Sequence, residues 1–286
     1  MWKNVLVDNL KACVPFKNTM RSLLRKYSPY RSLPSNDELA LKQGLQLVQL
    51  IDQYNVGMET ILEVGTGWIP TIPQLLKALG AERLILTDIE RLSDSDTALH
   101  AKGIVEESLS DLAEVCGKDL EELRSNLARV DVEEYRCPPR LAEVPDSSVD
   151  LVYSRTVLEH IPVPDLESLL SEWRRVLKPG GFCIHIIDNS DHFEHREKQL
   201  SRLNFLTVSE PLWAIACFNP QNYQNRLRHS DYVRLFGAAD YELVYVDGSP
   251  DRQALADLRT LSIDPRFSGY TQEDLAILTS IVVARK

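Results

Sequence analysis

The chain has 286 residues, enough for one large domain or two small ones with a sizeable buried core. With 44% hydrophobic and 26% charged residues it reads as globular, and its net charge of −10 argues against general nucleic-acid binding, which needs a basic surface. No stretch approaches the roughly 20 apolar residues of a membrane span, and the five cysteines (Cys13, Cys116, Cys137, Cys183 and Cys217) lack Cys-x-x-Cys spacing, which argues against structural zinc and suits a reducing compartment.

Residues 1–35 stand apart. Lys3, Lys11, Lys17, Arg21, Arg25, Lys26 and Arg31 face only Asp8 as an acid. Met20, Leu23, Leu24 and Tyr27 fall at helical spacing, so a short basic amphipathic helix is expected. Such a helix either lies on a membrane surface or caps a cleft. The interruptions at Pro15, Pro29 and Pro34 favour the cap. Lys3, Asp8 and Lys11 break up the first apolar runs, so no signal peptide is read and a cytoplasmic location is expected.

Ser35 or Asn36 can start a helix whose apolar face runs from Leu41 through Ile51. Ile61 to Val64 is short, apolar and branched, as a buried parallel strand should be. Gly65 and Gly67 then allow a sharp turn and close approach to a ligand, and Pro70 suits a helix start. Ile72, Leu75, Leu76 and Leu79 form the inner face of that helix, which Gly80 ends. A second strand, Leu84–Asp88, closes on a carboxylate at the distance a ribose-binding acid needs after the turn. Helical spacing over Ala98–Val115 and Leu120–Leu127 precedes a third strand, Val132–Cys137.

Ser148–Ser154 is the fourth strand and leads into Val157-Leu-Glu-His-Ile161. A helix after Pro164 follows, then Pro179-Gly-Gly181 turns into a fifth strand, Phe182–Ile187. Residues 189–229 are too aromatic for a free linker and read as an inserted lid or substrate wall. A helix from Ser230, a strand over Tyr241–Val246, a helical excursion over Gln253–Leu278 and a last strand, Ile281–Ala284, complete the chain.

The glycine turn, Asp88, the Leu-Glu-His-Ile segment and Arg175-Val-Leu-Lys-Pro-Gly-Gly181 together resemble the class I S-adenosylmethionine-dependent methyltransferases, over roughly Asn36–Asp188 and again near the C-terminus. The resemblance implies a Rossmann-like α/β fold, a doubly wound, mostly parallel seven-stranded sheet with its last strand antiparallel. It would carry an N-terminal helical cap over 1–35 and a methyltransferase domain over 36–286. S-adenosyl-L-methionine is the implied cofactor. Glu63, Gly65, Thr66 and Gly67 would line its methionine part, Asp88 and Ile89 its ribose side, and Ser154 and Arg155 would close the site from the fourth strand. Two departures stand out. Ile69 occupies a position where the family often has a third glycine. Arg140-Leu141 stands where an Asp-Ala pair often reads adenine, which leaves Asp131, Glu143 or a backbone group for that task.

His160 follows the fourth strand, where ligands bind in such sheets. It is either a base or a structural histidine held by a carbonyl. Asp191 and His192, just past the fifth strand, are the other candidate proton acceptors. Asp188, Asp191, His192 and His195 could in principle ligate a metal, but the reading is of a metal-free site. His185, inside a strand, reads as a satisfied core residue. Arg226 and Arg228 either bind an anionic substrate group or pair with acids of the lid. Trp213, Phe218 and Tyr223 either wall a substrate or pack the lid.

The expected activity is methyl transfer to an O or N atom of a small-molecule or sugar-type acceptor, with no nucleic-acid partner and no integral membrane association. A nicotinamide oxidoreductase shares the glycine turn and Asp88, but position 70 is Pro70 where its motif needs flexibility. A cofactor-binding protein without catalysis is the third reading.

Overall fold

A computed structural model describes residues 1, 2, 4–6, 9, 34–130, 132–219 and 222–286. The expected helix over Met20–Tyr27 and the adenine candidate Asp131 lie outside the described residues.

Among the described residues, seven strands form one sheet in the order β3-β2-β1-β4-β5-β7-β6. They are β1 (Thr60–Val64), β2 (Arg83–Thr87), β3 (Glu133–Arg136), β4 (Val149–Arg155), β5 (Leu177–Asp188), β6 (Glu242–Asp247) and β7 (Thr279–Arg285). All pairs from β3 to β5 are parallel, and β7 runs antiparallel to both β5 and β6. The order reverses between β1 and β4, and the crevice outside such a reversal is where α/β sheets bind ligands.

From Pro34 on, the helices among the described residues are α1 (Pro34–Gln53), α2 (Thr71–Leu79), α3 (Ser95–Glu107), α4 (Leu109–Cys116), α5 (Leu120–Leu127), α6 (Val163–Val176), α7 (Glu210–Ala216), α8 (His229–Ala238), α9 (Arg252–Asp257) and α10 (Gln272–Leu275). α1 to α5 cover one face of the sheet, where Leu47, Ile61, Leu75, Leu84 and Leu151 share a core. α6 and α8 cover the other, with Leu62, Val152, Trp173, Cys183 and Phe236 buried together. The central strands are buried on both faces, which is why they read as unbroken apolar runs rather than alternating ones.

The structure refines several boundaries. The continuous helix expected over Ala98–Val115 is broken at Ser108, whose hydroxyl bonds back to the Ile104 carbonyl. The helical excursion over Gln253–Leu278 shrinks to the short α9 and α10 with a 3-10 turn at Pro265–Phe267 between them. Asp251 and Thr271 cap the two helices, and Pro265 opens the turn. No helix among the described residues is long and apolar enough to cross a membrane.

The insertion after β5 has its own small core of Phe193, Leu203, Phe205, Leu206 and Trp213, shared with Phe267 and Leu275. Val5 is buried in the same cluster, and Asn4 donates to Glu197. The described part of the N-terminal segment therefore sits on the insertion.

Candidate functional site

Strand register builds the site. Val64 is level with Thr87 on one side and Ser154 on the other, so Gly65, Asp88 and Arg155 leave the sheet side by side. The Gly65 and Thr66 amides donate to the Thr87 carbonyl at 2.8 and 3.1 Å. The Gly67 amide donates to Asp88 Oδ2 at 2.9 Å, so this carboxylate faces the glycine turn. Asp88 Oδ1 accepts from the Ile89 amide at 2.7 Å. Each carboxylate oxygen keeps a second lone pair, enough for a vicinal diol.

The two glycines are needed for different reasons. Both have positive φ, +78° at Gly65 and +70° at Gly67. A Cβ on Gly65 would lie 2.4 Å from Val157 Cγ2, whereas one on Gly67 would meet nothing within 4 Å. Gly67→Ala should therefore cost only the left-handed strain, about 1 kcal/mol. Gly65→Ala adds a buried clash and should cost about 2–4 kcal/mol in denaturant unfolding. Equal losses for the two variants would show that Val157 does not constrain the turn.

Two cavities meet over this turn. One, of about 440 Å³, runs from Gly65, Asp88 and Ile89 to Pro139, Leu141 and Trp173. The other, of about 390 Å³, is bounded by α1 through Asp37, Leu39 and Ala40, and by Thr66, Arg155, Asp188, His192 and His195. Gly65, Gly67, Thr156, Val157 and His160 line both. Ile89 is 81% exposed, an apolar side chain left uncovered at the rim of the first cavity. Arg155 closes the second from β4, and its Nε donates to Gln43 on α1 at 2.6 Å.

Glu63 lies in β1 between Leu86 and Tyr153. It is 5% exposed, and among the described residues its Oε2 has no hydrogen-bond partner. Burial pushes its pKa up to about 7, against the opposing pull of Thr66 and Tyr153. Glu63 itself lines neither cavity, but a buried, unsatisfied acceptor two residues before Gly65, which lines both, fits a cationic ligand group. With a glycine turn that has no room for a Cβ at Gly65 and a carboxylate facing it, the residues present fit an amino-acid nucleoside such as S-adenosylmethionine.

His160 sits on a 3-10 turn, Leu158–His160, after β4. Its Nδ1 is 2.8 Å from the Tyr223 carbonyl and must carry the proton there, which leaves Nε2 as a lone pair. The ring reaches solvent at the cavity mouths, yet the desolvating protein around it and the neighbouring His192 lower its pKa. The His160 and His192 rings lie 4.8 Å apart, and those of His192 and His195 5.1 Å apart. Burial works against charge on Asp188, but His192, at 3.4 Å, and Ser190 outweigh it and keep that carboxyl below its ordinary pKa.

Not every candidate comes to the cleft. Asp191 lines neither cavity. Its carboxylate accepts from the Phe193 amide at 2.7 Å and the Asn204 amide group at 3.3 Å, which shapes the start of the insertion. The Ser154 side chain turns away to His185 Nδ1 at 2.7 Å, and His185 stacks on Trp173 in the core. Arg226 and Arg228 bind no cavity; both are buried and donate mainly to backbone carbonyls. Of the two, Arg226 alone reaches a lid acid, Glu210 at 2.6 Å. Trp213 is core, and Phe218 is 61% exposed away from both cavities. Glu143 pairs with Arg140 at the surface, so neither enters the first cavity, although Leu141 does.

Sequence reasoning passed over Gln43, Thr156, Val157 and Glu159. Val157 and Glu159 sit within the Leu-Glu-His segment already singled out, but nothing in their spacing says which side chain is buried.

A family model described as a methyltransferase domain matches residues 62–185. A protein of Aspergillus luteorubrus named as a probable methyltransferase, ltbC, is 40% identical over 60 residues; the match spans 21% of this chain and 21% of that protein's length. Among solved structures, an S-adenosylmethionine-dependent methyltransferase from Mesorhizobium loti is 13% identical with a TM-score of 0.46, covering 81% of this chain and 92% of its own. One from Archaeoglobus fulgidus is 15% identical with a TM-score of 0.44, covering 85% and 94%. The match of residues 62–185 to a methyltransferase domain agrees with the Rossmann-like sheet order and with the glycine turn that faces Asp88.

Proposed function

We propose that the protein transfers a methyl group from S-adenosylmethionine to an O or N atom of a small-molecule acceptor. The observation that carries this reading is the pair of cavities joined at Gly65, Gly67 and His160. One is largely apolar and ends on Asp88; the other is lined by imidazoles, two carboxylates and a guanidinium. Each has the volume of a small-molecule site, which favours a metabolite or sugar-type acceptor over a polymer.

In this reading Asp88 accepts the two ribose hydroxyls and Glu63, ionised, accepts the ammonium group. Gly65, Thr66 and Gly67 supply backbone without steric bulk, and Ile89, Pro139 and Leu141 give apolar walls for the base. The cofactor supplies an activated methyl on a sulfonium that leaves as a neutral thioether. The protein aligns the acceptor along that axis and removes its proton. His160, fixed as the Nδ1–H tautomer by Tyr223, presents the free Nε2 for that proton, with His192 and Asp188 beside it.

Calorimetry with S-adenosylmethionine and S-adenosylhomocysteine tests the cofactor half: binding of neither would remove the reading. His160→Ala tests the other half. Turnover of an identified acceptor should fall roughly 100-fold or more with cofactor affinity retained. Wild-type turnover in that variant would take the base role from His160.

A further inference from the structure

The loop after β4 and the insertion after β5 bring Glu159, His160 and His192 together. One ligand-capable atom from each lies within 4.8 Å of the others. Glu159 is only 3% exposed, and among the described residues neither of its carboxylate oxygens has a hydrogen-bond partner. His192 Nε2 is likewise buried without one, with Asp188 Oδ2 3.4 Å away. A buried carboxylate is normally hydrogen-bonded, paired with a cation or bound to metal. Arg155, at this end of the sheet, acts on Glu159 only through its charge: its Nε bonds to Gln43, and the two side chains make no hydrogen bond or ion pair.

We propose that Glu159, His160 and His192 form a binding site for a divalent first-row transition cation such as zinc. Two imidazoles and one carboxylate match the ligand preference of such ions, whereas magnesium and calcium favour all-oxygen sets. The outer shell is also in place. A metal-bound histidine characteristically donates its other ring N–H to a carbonyl, as His160 Nδ1 does to Tyr223 at 2.8 Å. Three protein ligands leave a coordination position open toward the cavity that His160 and His192 both line.

The ligand set differs from the one considered on sequence grounds, Asp188, Asp191, His192 and His195. Asp191 is held within the insertion, and Glu159 takes the carboxylate role. A cation here would clamp the insertion to the β4 loop, next to the existing link from the Asn225 amide to the Glu159 carbonyl at 2.8 Å. A cation and a proton compete for the same lone pair on His160, so base function belongs to the cation-free protein. The site itself stands whether or not a methyl group is transferred.

Equilibrium dialysis of chelator-stripped, full-length protein against zinc, and cobalt(II) absorption spectra, test it. The expected result is one equivalent of tightly held zinc, with a cobalt spectrum of nitrogen and oxygen ligation and no sulfur-to-cobalt charge-transfer band. Glu159→Gln and His192→Gln should each weaken zinc by about 100-fold or more, since even an outer-shell loss costs roughly 10–100-fold. Circular dichroism and a cooperative melt serve as the fold check for both variants. No stoichiometric uptake by the wild type, a thiolate band, or unchanged affinity in two folded variants would each overturn the proposal.

Discussion

Asp88→Ala is expected to weaken binding of S-adenosylmethionine and S-adenosylhomocysteine by about 100-fold or more, measured by calorimetry. The argument is additive. A hydrogen bond to a charged acceptor contributes about 1.5–3 kcal/mol, the proposed ribose contact makes two, and each 1.4 kcal/mol is a factor of ten. The same change removes the acceptor of the Gly67 and Ile89 amides, so the turn loses its anchor as well. Asp88→Asn separates the two contributions. It keeps one oxygen for a backbone amide but places a donor where the ligand also donates. Ligand affinity in the asparagine variant should fall nearly as far, with less loss of stability. An unchanged dissociation constant in Asp88→Ala would place the nucleoside elsewhere.

Glu63 gives a pH-dependent signature with a definite sign. Its folded pKa of about 7 stands above the ordinary glutamate value of 4.5, and burial is the first cause. The folded protein therefore holds the proton more tightly than the unfolded chain. The stability this confers is fully present below the unfolded pKa and is lost as pH rises through 4.5 to about 7. Above that window the empty protein carries a buried charge with an unsatisfied oxygen. Glu63→Gln should accordingly raise the melting temperature of ligand-free protein at pH 8 and leave it almost unchanged near pH 4. Cofactor binding should show the opposite demand, because only the ionised carboxylate attracts an ammonium group. Wild-type affinity should fall as pH drops below about 7, by up to tenfold per unit, and the glutamine variant should lose that slope. A flat affinity profile in the wild type would show that Glu63 does not meet the ligand's charge.

The insertion after β5 is held by two arginines that sequence reading leaves between an anion site and pairing with lid acids, and by Asp191, which it names as a candidate proton acceptor. Arg228, fully buried, donates to the carbonyls of Asn189, Leu275 and Ile277, joining the start of the insertion to the α10 region. Arg226 donates to Phe205 and Val208 and lies over the Trp213 ring at 4.8 Å. Loop carbonyls without a regular ladder need donors, and a guanidinium carries five in a fixed fork. The two arginines therefore satisfy irregular backbone, which a residue pattern cannot distinguish from an anion site. Asp191 follows the same logic: its acceptor capacity goes to Phe193 and Asn204, while His192, the next residue, faces the cavity.

The amino-acid sequence alone determines the strand order's ingredients: apolar runs of strand length, helical faces between them, a turn at Gly65 and Gly67, and an acid at the tip of β2. These are local properties, set by side-chain period and by where the backbone needs positive φ. Three things come only from the tertiary structure. Strand register aligns Gly65, Asp88 and Arg155, distant in the chain, on one edge of the sheet. Packing against Val157 makes Gly65 irreplaceable while Gly67 keeps open space. Burial turns Glu63 and Glu159 from ordinary acids into unsatisfied acceptors. A carboxylate's hydration and partners depend on neighbours from remote segments, and no pattern along the chain records which of them will close over it.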